Sequence, residues 1–265
     1  MMHAQPPAAV IVGIDGSASA LHAAEWAVEE AVDRDVPLRL VHVIESMSVP
    51  APLAAANAGA ILQAAAQAAA SLTGESVKIE TVIARGSVVG SLVAESADAY
   101  LLCLGSSGVQ PGDPGGAIAT AVARKAQCPL ALIRTDDDAP RCESDDIAVL
   151  VDESLAGDVL QVALDEARLR NATLLILRLA RSQHGPFASG RTDHYLADWL
   201  GRYPDVQTHI LDVPGDVPTF LRQHDPPVQL LVSGNYGEDA AGRLTGPFGQ
   251  FALCDAPSSV LLVHF

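Results

Sequence analysis

Val10-Ile11-Val12-Gly13-Ile14-Asp15-Gly16-Ser17 is an apolar run that breaks into an acidic turn, and Ile147-Ala148-Val149-Leu150-Val151-Asp152-Glu153-Ser154 says the same thing again near mid-chain. Each is followed by a helical stretch, and the echo persists there: Ala27-Val28-Glu29-Glu30-Ala31 returns as Ala163-Leu164-Asp165-Glu166-Ala167. A short polar break and a new apolar run follow both (Leu38 to Ile44, Leu174 to Ala180). A period close to half of 265 residues means two copies of one domain. Two domains of this size suit a chain of this length better than one large core.

The first copy alternates short apolar strands with helices. Strands are expected at Ala9–Asp15, Leu38–Ile44, Lys78–Ala84, Tyr100–Gly105 and Pro129–Arg134, and helices at 18–34, 51–73, 87–98 and 116–127. In the first helix, Leu21, Ala24, Val28, Ala31 and Val32 read as the core face. The second copy offers strands at 147–152, 173–180, 206–213, 228–233 and 258–264 and a first helix at 155–170. Arg181–Gly190 reads as a mobile loop, with helix returning over Arg191–Tyr203. Near-continuous apolar strands separated by helices imply a parallel sheet covered on both faces, an α/β fold. The boundaries expected are a first domain at 1–136, an acidic, Pro-containing linker at 137–146 and a second domain at 147–265.

Composition narrows the function. The chain carries a formal charge of −16 and only two lysines, Lys78 and Lys125, so phosphate backbones and anionic lipid surfaces are repelled. No nucleic-acid or membrane partner is expected. Met1–Ala9 has no basic region leading into a long apolar stretch, and Asn57, Gln63 and Gln67 interrupt the Ala-rich segment 51–72, which reads as a solvated amphipathic helix. A cytoplasmic, soluble protein is the expectation. Cys103, Cys128, Cys142 and Cys254 have no ligand-like spacing and read as free thiols. His184, His194, His209 and His224 lack metal-binding spacing, and no metal site is expected.

Ligands of open parallel sheets bind beyond the carboxyl ends of the strands, where strand order reverses. Two loops of the first copy meet that description: Asp15-Gly16-Ser17 after strand one, and Gly105-Ser106-Ser107-Gly108 after strand four, leading to Gly115-Gly116. Glycines admit close approach of backbone to ligand, and the amides of a following helix can meet phosphate oxygens. Asp15 reads equally as a ligand contact and as a helix cap, with Ser17 a second capping candidate. Gly105 and Gly108 serve either a tight turn or an anion-facing loop. His42, among Leu40, Val41 and Val43, reads as a satisfied strand histidine and not a catalytic one. The chain has no lysine phosphate loop, no nucleophile elbow and no paired-carboxylate constellation, and no enzyme is expected.

These residues resemble the universal stress protein family in its tandem two-domain form. The resemblance rests on Val12-Gly13-Ile14-Asp15-Gly16-Ser17, on Leu104-Gly105-Ser106-Ser107-Gly108, and on Gln127-Cys128-Pro129-Leu130-Ala131-Leu132-Ile133, in that order along the chain. It implies two Rossmann-like domains, each a five-stranded parallel sheet with helices on both faces. It also implies intramolecular pairing of the domains through their last strands, allows a homodimer, and points to ATP as the ligand of a stress-response protein. The implied nucleotide contacts are Gly13, Asp15, Val43, Gly105, Ser106, Ser107, Gly108, Gly116 and Ala117.

The family pattern has Gly, two residues, Gly, nine residues, then Gly followed by Ser or Thr. Here seven residues separate Gly108 from Gly116, and Ala117 stands where a hydroxyl is expected. In the second copy Gly234 and Gly237 fit, but Gly246 is followed by Pro247, Leu150 replaces Gly13, and Glu153 would repel a phosphate. Arg243 is the one residue there suited to face an anion. The first copy is therefore the better candidate for an adenine nucleotide, and the second reads as a pairing domain with a degenerate motif. The alternative is a nucleotide-free scaffold with vestigial glycine loops. That reading expects the fold to survive Gly105→Ala combined with Gly108→Val.

Overall fold

The computed structural model describes residues 9–45, 51–73, 76–106, 114–134, 146–151, 156–180, 196–214, 217–224, 228–235 and 258–264. The chain divides into two compact units, Met1–Asp138 and Ala139–Val263, the last two residues aside.

The first unit runs β1 (Ala9–Gly13), α1 (Ala18–Asp33), β2 (Leu38–Ile44), α2 (Ala51–Thr73), β3 (Ile79–Arg85), α3 (Val88–Ser96), β4 (Ala99–Ser106), α4 (Pro114–Ala123) and β5 (Leu130–Arg134). Its strands lie in the order β3-β2-β1-β4-β5, all parallel. α1 packs with α2 and α3 with α4, so helices cover both faces of the sheet. Val10, Ile11, Val12, Leu38, Leu40, Leu102 and Leu130 through Ile133 are buried, which is why the inner strands read as unbroken apolar runs. The outermost strand, β3, instead exposes Thr81, Ile83 and Arg85 in alternation. On α2, Ala58, Leu62, Ala65 and Ala69 are buried at helical spacing. No helix among the described residues is long and apolar enough to cross a membrane.

The second unit contains β6 (Asp146–Val151), α5 (Ala156–Leu169), β7 (Thr173–Ala180), a helical turn α6 at 196–200, β8 (Thr208–Pro214), α7 (Val217–Gln223), β9 (Leu230–Asn235) and β10 (Ser259–His264). Its order, β10-β9-β6-β7-β8, repeats the first unit strand for strand. The duplication reaches individual hydrogen bonds. After α1, Val36 N–H donates to the Ala31 carbonyl and Asp35 N–H to that of Val32; after α5, Ala172 donates to Ala167 and Asn171 to Arg168. Asp35 (φ 52°) and Asn171 (φ 50°) hold the left-handed position of this helix-ending motif, which Asp and Asn tolerate. Glu30–Arg34 (2.6 Å) and Glu166–Arg170 (3.2 Å) are the same buried ion pair made twice.

Three expectations need correction. The buried face of α1 is Ala20, Ala23, Ala24, Ala27, Val28, Glu30 and Ala31, whereas Val32 is 46% exposed and Leu21 only half-buried. The face is rotated because Glu30 enters the core paired with Arg34. α4 starts at Pro114 and ends at Ala123, earlier at both ends than the expected 116–127; proline is pre-organised for a first helical position. α7 was not expected at all, because a short segment with Pro218 and Thr219 carries little helical periodicity. The Arg181–Gly190 loop lies outside the described residues, as does 191–195 of the expected helix.

In the second unit, a polar clamp ties the segment before β8 to α5. Arg168 grips both Asp205 oxygens at 2.7 Å and lies 4.5 Å over the Tyr203 ring, whose hydroxyl donates to Asp165 at 2.8 Å. Burial, reinforced by that bond to Asp165, pushes the Tyr203 phenol up to about 12.

Cys103 and Cys128 are buried thiols outside any disulfide, as expected; Cys142 and Cys254 lie outside the described residues. Burial pushes the Cys128 thiol from about 9 up to about 12. The unfolded chain therefore ionises this thiol before the folded one does. Its effect on stability is nil below pH 9 and turns destabilising as pH rises from there towards 12. At pH 8, iodoacetamide should leave Cys103 and Cys128 unmodified in the native protein and alkylate both in guanidinium, as read by peptide mass spectrometry. Native-state alkylation of either would contradict their burial.

Candidate functional site

In the first unit β1 lies between β2 and β4, so strand order reverses at β1. Gly13 is in register with Val41 of β2 and Leu104 of β4. The carboxyl ends of the three strands therefore stand side by side, and Asp15, Val43, Gly105 and Ser106 share one edge of the sheet. α4 begins after β4 and runs back towards the parallel strand β5, which puts the backbone of Gly116 and Ala117, in its first turn, on that same edge. Ser107 and Gly108 lie outside the described residues, as do Glu153, Gly237, Arg243 and Gly246 of the second unit.

The turn from β1 to α1 is built from its own side chains. Asp15, exposed, accepts from Ser17 N–H at 2.8 Å, and Ser17 caps α1 by accepting from Ala20 N–H at 3.2 Å. Ser17 is thus the N-cap, and Asp15 organises the turn ahead of it. Gly16, exposed, sits at φ +94°, a backbone angle that a side chain would strain. Ile61 of α2 lies against it, 3.4 Å from where a Cβ would stand. α2 therefore packs against the turn at the switch point, a contact that sequence reading missed.

Two of the glycines have packing duties. A Cβ on Gly13 would come 2.6 Å from a terminal methyl of Leu104. In the second unit Leu150, in register with Leu177 of β7, stands where the first unit has Gly13 in register with Val41. A Cβ on Gly105 would meet the Ser19 carbonyl group and lie 2.6 Å from Ala20 N, in the first turn of α1. Gly105 is what lets α1 cross the tip of β4. This close backbone contact predicts a cost for Gly105→Ala, against the scaffold alternative's expectation of a nearly unchanged fold after Gly105→Ala combined with Gly108→Val.

His42 is half-buried and its Nδ1 lies 2.7 Å from the Ile14 carbonyl oxygen. A carbonyl only accepts, so Nδ1 carries the proton. The satisfied strand histidine expected from sequence is what the structure holds. In the second unit Arg178 occupies the equivalent position, bonded to both carboxylate oxygens of Asp212 at 2.8 and 3.0 Å. Among the described residues, no group of His, Cys, Asp and Glu is arranged to hold a metal ion.

The architecture defines a doubled α/β protein whose first sheet has its switch point at β1. The universal stress protein family model matches residues 8–134. One universal stress protein of Mycobacterium tuberculosis is 38% identical over 262 residues, covering 96% of each chain. Another is 37% identical over 263 residues, covering 94% of this chain and 95% of the relative. A universal stress protein of Archaeoglobus fulgidus, of known structure, matches with a TM-score of 0.76 at 15% identity, covering 97% of this chain and 96% of that one. The chain belongs to the universal stress protein family.

Proposed function

We propose that the first unit binds an adenine nucleotide, ATP, across the carboxyl ends of β1, β2 and β4, and that the protein acts in the cytoplasm as a stress-response regulator. It turns over no substrate in this reading, and the second unit serves as a pairing or scaffold domain. The observation that carries the proposal is the reversal of strand order at β1, with Asp15 and Gly16 exposed at that point. Switch points of this kind are where open parallel sheets hold nucleotides. The Asp15 carboxylate suits ribose hydroxyls or the adenine amine, and backbone amides suit the phosphates.

A ligand bound only by the folded state stabilises it by about 2.7 kcal/mol at a hundredfold excess over its dissociation constant. Millimolar ATP with magnesium should therefore raise the melting temperature of the first unit by several degrees. An unchanged melting curve would remove the nucleotide from the account. One observation favours the scaffold alternative: Gly13 and Gly105 have packing reasons that need no ligand. The same melting experiment separates the two.

A further inference from the structure

We infer that His42 is a positioning residue of this switch point, replacing the last rung between β1 and β2 so that the Val43 amide is left for a ligand. The inference rests on the nucleotide reading above and names how the site is prepared. In a parallel ladder, a residue whose N–H donates to one position of its neighbour accepts, through its carbonyl, from the residue two further on. Ile14 N–H donates to the Val41 carbonyl at 2.8 Å. The next rung would run from Val43 N–H to the Ile14 carbonyl. That carbonyl is instead met at 2.7 Å by Nδ1–H of His42.

Strand alternation turns Val41 and Val43 backbone groups towards β1, while Leu38 and Ile44, on even positions, turn theirs towards β3, as the bonds Leu38 N–H to Lys78 and Gly86 N–H to Ile44 show. The Val43 amide thus points towards the end of β1, where Asp15 is exposed. A ring nitrogen or hydroxyl oxygen of a nucleoside is the kind of acceptor it would take. The same histidine bond fixes Ile14, the last residue before the Asp15-Gly16-Ser17 turn.

The test uses the full-length protein with His42→Phe, which keeps a ring and removes the donor, and His42→Asn, whose amide nitrogen sits the same number of bonds from the backbone as Nδ1. Losing one aligned hydrogen bond to the ligand should weaken ATP binding about tenfold in His42→Phe, by calorimetric titration, with His42→Asn within a few-fold of the natural protein. Equal affinity in His42→Phe, or an equal loss in both variants, would overturn the inference. Amide hydrogen exchange by NMR without nucleotide gives an arm independent of binding. The Val43 amide should exchange quickly in the natural protein and become protected in His42→Phe, where the rung can close. If the natural protein binds no ATP, the nucleotide reading fails by itself, and the exchange arm still decides whether His42 takes the place of the rung. A Val43 amide already protected in the natural protein would refute that.

Discussion

Replacing Arg34 by alanine should destabilise the first unit by about 3–5 kcal/mol, the cost of leaving a buried charge without its counter-ion. Glu30 is fully buried and Arg34 NH1 lies 2.6 Å from its carboxylate, while the guanidinium also covers the Tyr100 ring at 4.7 Å. The side chain therefore serves the core as partner and as lid. Urea unfolding of the full-length chain measures the effect. Arg170→Ala should do the same to the second unit, where Arg170 faces the buried Glu166 at 3.2 Å. The companion variant Glu30→Met with Arg34→Leu separates the charge from the packing. It should recover most of the loss, because an apolar pair of similar volume has no desolvation to offset. A loss below about 1 kcal/mol in Arg34→Ala would mean that water reaches Glu30.

Gly105→Ala should cost about 3 kcal/mol, at the upper end of ordinary overpacking. The obstacle is backbone: the added methyl meets Ser19 and Ala20 in the first turn of α1, which is pinned by the Ser17 cap. Gly13→Ala should cost only about 1 kcal/mol, because the atom in its way is the end of the Leu104 side chain, which can turn aside. The two variants also divide the roles of these glycines. If Gly105→Ala proves neutral in urea unfolding, α1 does not pack on β4 as described, and the glycine would have to be explained by a ligand.

Most of the fold was legible because it is written in apolar runs. The spans of β2 and β7 were readable to the residue, since a buried parallel strand between polar breaks has no competing periodicity. The face of α1 was not, because a glutamate at the C-terminal end of a helix reads as solvated unless its arginine, four residues on, is known to follow it inward. At the site, sequence placed Gly13, Asp15, Val43, Gly105 and Ser106 on one edge, and register puts them there. It could not tell whether a missing side chain makes room for a ligand or for the protein itself. At Gly13 and Gly105 the space is taken by Leu104 and by α1, which only the packing reveals. The contact made by Ile61 is illegible for the same reason, lying on α2, far along the chain from the turn it packs against.

Hydrogen exchange across the whole chain, with and without saturating ATP, puts the nucleotide site to the most direct test. The account predicts slowed exchange at residues 14–17, at Val43 and around 105–106, with the carboxyl edge of β6, β7 and β9 unaffected. Exchange that ATP leaves unchanged everywhere, or slows only in the second unit, would contradict it.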